Sequence, residues 1–249
     1  MDIPFDPALV SAFVLALVRA STWLFIAPPF SSRLMPVTVK IGVAAALAMA
    51  AAPHIANPDL SLETGPFIGA LVTQALVGFT MGMLTMLLVS AIQSAGALID
   101  LFAGYSMVML YDPFTDNSVS IFGRFYGVIA TTLLFTTNAH LILVNGFFRS
   151  FEAVPIGGIP TGDIARLLTD NLGQFGIAAL EVAGPVLACL FLTELTLGLL
   201  NRAAPSLNVF SLAFPLRVIV ALVVVALAIP LIAPALTNLV TKAVAPIGG

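Results

Sequence analysis

The sequence predicts an all-α integral-membrane bundle of about six apolar, partly broken helical segments. Three observations carry that prediction. Of 249 residues, 60% are hydrophobic and 8% charged, against roughly 25% charged in soluble domains. Apolar runs recur at or above the ~20 residues that a helix needs to cross a bilayer. Several of those runs contain Pro, which removes a backbone donor and breaks or kinks a helix. The runs form one expected domain over residues 1–249. The net charge of −3 is spread along the chain, and no basic block suggests nucleic acid. Cys189 is alone, so neither a disulfide framework nor a Cys-based metal site is available. The start, Met1 to Pro7, is acidic, so the first apolar run is expected to be retained rather than cleaved as a signal.

The first segment is expected from Ala8 to Ala27, with Arg19 and Trp23 inside it. A turn, Pro28 to Pro36, leads to the second, Val37 to Ile55, where Ala44, Ala48 and Ala52 recur every fourth residue. That spacing lets a neighbouring backbone come close. The third, Phe67 to Ile99, contains Gly78 and Gly82 as a GxxxG pair, a face for helix packing. At ~1.5 Å per residue it would reach about 50 Å, against a hydrocarbon core of roughly 30 Å. It is therefore expected to project, break or lie within a larger assembly. The fourth runs from Ile121 to Phe148, the fifth from Leu172 to Leu200 with Pro185 inside, and the sixth from Phe214 to Leu239 with Pro230 and Pro234 inside. Arg33, Lys40, Arg124, Arg202 and Arg217 outnumber Arg149, Arg166 and Lys242 on the opposite connections. The positive-inside rule then puts both termini outside the cytoplasm.

Charges inside apolar runs cost at least ~2.5–3.5 kcal/mol on insertion scales, so each needs a partner, a cavity or a route to the surface. Lys40 and Arg124 lie near segment ends, where their long stems can snorkel. Arg19 lies within the first segment, and Glu181 and Glu194 are deeper in theirs. The two Glu are thirteen residues apart, about 140° around a helix at ~100° per residue. They cannot line one narrow lumen together, which favours a helix with protein on both sides. His140 follows Thr136, Thr137 and Asn138 and reads as a packing histidine, because no acidic residue stands at ligand spacing. No G-x-S-x-G, H-E-x-x-H or Gly-rich phosphate loop is present, so no catalytic residue and no cofactor is assigned.

Two stretches carry the functional expectation. Met107, Met109, Tyr111 and Phe114 bracket Asp112-Pro113. Met is unbranched and polarisable, so it fills irregular gaps, and apolar constrictions can gate a pore. The same residues also suit ordinary packing of a loop on its neighbours. The other stretch is Asn201 to Arg217, with two Arg, two Asn, and Pro205 and Pro215. It is expected to be an irregular connection packed in protein, since Pro disfavours helix at the residue before it and lipid does not tolerate open backbone.

Arg202, Ala203, Pro205, Leu207, Asn208, Val209, Phe210, Phe214 and Pro215 make this stretch resemble the signature of the FliR family, export-gate proteins of the flagellar type III secretion apparatus. Ser206 and Ala213 depart from the Gln and Gly usual there. The resemblance runs from the Pro28–Ser32 turn to Pro215. It implies a non-enzymatic subunit packed within a hetero-oligomeric helical channel in the bacterial inner membrane, at the flagellar basal body. Partners would be FliP-family and FliQ-family subunits and an FlhB-type protein, with membrane lipid around them and unfolded flagellar substrates passing. The 107–114 segment would be the channel plug. Gly78, Gly82, Glu181, Glu194, Arg202, Pro205, Asn208, Phe210, Phe214 and Pro215 are the expected partner and assembly residues. An injectisome homologue is the nearest alternative. A small-molecule transporter with broken helices and buried carboxylates is the alternative from another class, and an intramembrane enzyme comes third.

Overall fold

The computed structural model describes residues 7–28, 30–32, 35–56, 63–105, 120–155, 163–204, 206 and 208–244, with 163–172 and 210 described as backbone only. Among them are seven helices and no strand: α1 (Pro7–Ile26), α2 (Val37–Ile55), α3 (Thr64–Ala103), α4 (Ile121–Thr136), α5 (Ala139–Ala153), α6 (Asp163–Ala203) and α7 (Val209–Val244). Five are long and apolar enough to cross a membrane, or six when α4 and α5 count as one broken span. This is the expected helical membrane bundle. Its hydroxyls obey the same solvent: Thr73, Thr80, Thr85, Thr131, Thr193 and Thr237 each donate to the carbonyl four residues back. A hydroxyl bonded within its own turn asks nothing of the lipid.

Three expectations about helix breaks are corrected. The fourth segment is two helices. Thr137 ends α4, its N–H reaching Leu133 O at 2.9 Å, and Asn138 takes the left-handed conformation at φ 58°, which Asn tolerates better than other side chains. Pro185, Pro230 and Pro234, expected to interrupt their segments, and Pro215 do not break their helices; α6 and α7 continue through them. Pro215 therefore lies inside α7, and the irregular connection shrinks from Asn201–Arg217 to the few residues between Ala203 and Val209. A Pro forfeits one hydrogen bond, and apolar helices absorb that loss by local adjustment. Finally, α3 does not end at Ile99 but runs to Ala103, and of the three outcomes expected for so long a segment a break is the one it does not take. Its 40 residues make one helix about 60 Å long at ~1.5 Å per residue.

The contacts cluster in two compact units. Unit one holds the described residues up to Leu87, Asn138–Gly173, and those from Val240 on; unit two holds Leu88–Thr137 and Gln174–Leu239. In unit one, α1 packs on α2 and crosses α3 at Gly78 and Gly82. A Cβ on Gly78 would stand 2.4 Å from Arg19 O, and one on Gly82 would stand 2.7 Å from Ile26 Cβ. Trp23 stacks on Phe147 of α5 at 5.3 Å and its indole donates to Thr85 at 3.4 Å. In unit two, α3 meets α4 just as closely: a Cβ on Gly96 would lie 2.4 Å from Phe122 O.

Candidate functional site

Arg19 is fully buried on α1. Among the described residues no carboxylate pairs with it. Its Nε donates to Gln74 Oε1 on α3 at 2.6 Å, Nη1 to Ser150 Oγ on α5 at 2.9 Å, and Nη2 to Val154 O at 2.9 Å. The guanidinium also lies 3.9 Å from the centroid of the Phe151 ring. Val154 caps α5, so Arg19 meets the negative end of that helix dipole. The planar fork of Arg suits several acceptors at once. Arg19 thereby ties three helices together at one point. Sequence reasoning asked for its partner but could not find it, because Gln74 and Ser150 are 55 and 131 residues away and neither is charged.

Lys40 was expected to reach toward the surface. It is buried instead, 7% exposed, donating to Ser32 O at 3.2 Å with its ammonium 5.6 Å from the Phe25 ring centroid. The turn before α2 supplies a carbonyl and the end of α1 an aromatic face to the amine, so it has partners without snorkelling. Gly78 and Gly82 were expected to face a partner subunit. That face is filled by α1 of the same chain, as the contacts with Arg19, Trp23 and Ile26 show.

Unit two gathers a second polar group around the C-terminal end of α3. Asp100 is buried; one oxygen accepts from the Ser120 hydroxyl and from the Phe122 N–H at 3.0 Å, and the other has no partner. Ser120 in turn accepts from Gly123 N at 2.8 Å. Asp100 and Ser120 together cap α4, a helix start that favours both a hydroxyl and a negative charge. Tyr105 packs edge-on against Phe122 and Phe214, with centroids at 5.8 and 6.1 Å. Arg217 pairs with Glu194, side chains 26% and 57% exposed, while Arg217 Nε is buried without a partner. Gly104, at φ +86°, lies under Arg217 and Phe214. Nothing local in the sequence joins Asp100 to Ser120, twenty residues on.

The plug residues Met107, Met109, Tyr111, Asp112, Pro113 and Phe114 lie outside the described residues, as do Pro205 and the side chain of Phe210. The described residues on either side, Tyr105 and Ser120, are both held by the contacts just given. Asn208 is the residue before α7; its Oδ1 accepts from Ser211 N at 3.4 Å and its carbonyl from the Ser211 hydroxyl at 2.8 Å. Arg202 is exposed in the last turn of α6, the favourable end for a cation. Glu181 is exposed on α6 with no hydrogen bond or ion pair to the described residues. On the same helix a Cβ added at Gly173, Gly176, Gly184 or Gly198 would meet nothing within 4 Å. Ile177, Leu180, Phe191, Leu195 and Leu199 are exposed with them. Among the described residues no three of His, Cys, Asp and Glu converge on a metal position.

Comparison with known proteins decides what kind of chain this is. Residues 10–243 match the sequence family described as bacterial export proteins, family 1. This chain belongs to that family. FliR proteins are among the relatives that it resembles. The flagellar biosynthetic protein FliR of Bacillus subtilis (strain 168) is 32% identical over 220 residues, covering 86% of this chain and 85% of its own. FliR of Escherichia coli (strain K12) is 32% identical over 219 residues, covering 88% and 84%. The family reaches beyond flagella: the Yop proteins translocation protein T of Yersinia pestis is 28% identical over 210 residues, covering 82% and 80%. The FliR-family resemblance read from Arg202 to Pro215 is thus borne out over nearly the whole chain.

Proposed function

We propose that this FliR-family chain is a non-enzymatic subunit of the bacterial flagellar type III export gate. It acts as one domain over residues 1–249 in the inner membrane, at the flagellar basal body. It forms part of the channel for unfolded flagellar substrates and packs with FliP-family, FliQ-family and FlhB-type proteins. The observation that carries this reading is the match over residues 10–243 with FliR relatives at 32% identity. The outward side of α6 supports it: four glycines with open space and a carboxylate unpaired among the described residues suit a helix that another subunit covers. The injectisome reading has its own support in the Yersinia relative. The transporter reading loses its main argument, because Glu181 and Glu194 are exposed.

Co-expression with FliP-type and FliQ-type partners is expected to yield a stable, co-purifying complex, and expression alone a poorly accumulating chain. A monodisperse, functional monomer or homodimer made without partners sinks the proposal. The plug is tested separately. Replacing Met107, Met109 and Phe114 together with Gly should leave the complex assembled but leaky to ions, since each buried Met or Phe contributes roughly 1.5–3 kcal/mol of apolar seal. An assembled complex as tight as wild type returns this loop to ordinary packing.

A further inference from the structure

A cleft of about 1140 Å³ opens in unit one between the C-terminal parts of α2 and α5. From α2 come His54 and Ile55; from α5 come Asn145, Phe148, Arg149 and Glu152. The α5 residues recur at the spacing of one helix face, so the helix presents a cation and a carboxylate side by side. Charges three residues apart on a helix ordinarily pair. Here they do not: His54, Asn145, Arg149 and Glu152 make no hydrogen bond or ion pair with the described residues. The cleft therefore offers donors for an anion and an acceptor for a cation, none of them committed to another described residue. Its other walls, Ile55 and Phe148, are apolar.

The position adds a second argument. Helix α2 is a candidate membrane span that ends at Ile55, so His54 stands in its last turn. Polar side chains at the ends of apolar helices stand at the depth of lipid headgroups. The volume also exceeds the ~300–1,000 Å³ of most small-ligand sites, which suits an elongated amphiphile.

We propose that this cleft binds a glycerophospholipid whose headgroup is zwitterionic, with a primary ammonium beside the phosphate. Arg149 meets the phosphate with paired N–H donors, as guanidinium does best, and His54 and Asn145 supply further donors. Glu152 accepts from the ammonium. The acyl chains leave along Ile55 and Phe148. Glu152 sets the specificity, because it repels a purely anionic headgroup and attracts one that carries its own cation. This site depends on the chain being in a membrane and not on the export role.

The test is native mass spectrometry of the complex extracted from membranes and exchanged into nanodiscs of dioleoyl phosphatidylethanolamine or dioleoyl phosphatidylglycerol. The expected result is one phosphatidylethanolamine retained in preference to phosphatidylglycerol. Arg149→Gln should lower retention of both lipids about tenfold, and Glu152→Lys should turn the preference toward phosphatidylglycerol by about tenfold, the scale of one lost or gained polar contact. Both residues are exposed, so neither change disturbs the core. Soluble glycerophosphoethanolamine should not displace the lipid, since it lacks the chains that the apolar walls hold. Equal retention of the two lipids, unmoved by either substitution, overturns the proposal. So does displacement by the soluble headgroup, which marks a metabolite site. Loss of a protein subunit from Arg149→Gln with lipid retention unchanged also overturns it, by marking a protein contact.

Discussion

Arg19 and Glu181 set the same physical problem and receive opposite solutions. Each is an ionisable side chain in the middle of an apolar helix. Arg19 is fully buried, with three hydrogen bonds and a ring face supplied by its own chain. Glu181 is exposed and meets none of the described residues. The glycines follow the same division. Those of α3 at 78 and 82 are filled by α1, while those of α6 at 173, 176, 184 and 198 face open space. Small residues and stray charges thus have two uses here. At Arg19, Gly78 and Gly82 they build the chain; on α6, Glu181 and the four glycines meet no such neighbour among the described residues.

The largest effect should come from breaking the closed node. Arg19→Met leaves Gln74, Ser150 and the Val154 carbonyl short of a donor, at ~1–3 kcal/mol for each buried group. We expect a loss of about 3–9 kcal/mol, a large part of the ~5–15 kcal/mol that holds a typical protein folded. Membrane-integrated protein should fall to a small fraction of wild type by immunoblot. Normal accumulation would show that the node is dispensable. Arg19→Lys should fail too, since one ammonium cannot reach all three acceptors.

The glycines sharpen the contrast at a smaller scale. Gly78→Ala drives a Cβ to 2.4 Å from Arg19 O, a backbone atom that cannot step aside, and should cost about 1–3 kcal/mol. A lower melting temperature of the purified complex would report it. Gly184→Ala meets nothing in its own chain and gains helix propensity of ~1 kcal/mol. It should instead reduce co-purification of partner subunits. If Gly184→Ala assembles fully and Gly78→Ala melts normally, the division between the two glycine sets is wrong.

Asp100→Ala should cost about 1–2 kcal/mol, the scale of a lost helix cap, visible as faster hydrogen exchange in the first turn of α4. Asn208→Ala should be milder, about 0.5–1 kcal/mol, because its 3.4 Å contact is long. Its informative readout is motility measured beside complex recovery. A mutant that assembles normally yet does not swim would give Asn208 a part in transport rather than in capping.

Composition and apolar run length were enough to read the helical class and the places of α1 and α2. What failed was local punctuation. Pro215 looked like a helix end and lies inside α7; Thr137-Asn138 looked like a polar patch within one run and is a true break. The difference lies in what each residue demands. Proline costs one hydrogen bond that an apolar helix can forgo, whereas Asn138 at positive φ ends the repeat of helical dihedrals. The polar nodes were less legible still. Arg19 announced itself as a charge in an apolar run, but its partners are neutral and far along the chain, and pairing by opposite charge never finds them. Asp100 stood at the edge of a segment that turned out to extend past it to Ala103. The face given to partners at Gly78 and Gly82 was real as a packing surface and wrong as to its occupant.

The distance along the chain between Arg19 and its acceptors has a consequence for biosynthesis. Val154 follows Arg19 by 135 residues, roughly 7–27 s of synthesis at ~5–20 residues per second. Gln74, 55 residues on, is the first of its three acceptors to be made, and until Ser150 and Val154 follow the guanidinium of α1 lacks the other two. A helix in that state is poorly suited to stay in lipid, so α1 must wait at the interface or be held by another protein until α5 has been made. A helix made before α3 and α5 is then among the last to reach its place. Conditions that slow the making of the stretch between Gln74 and Val154 should lengthen the vulnerable period and expose the unfinished chain to membrane proteases.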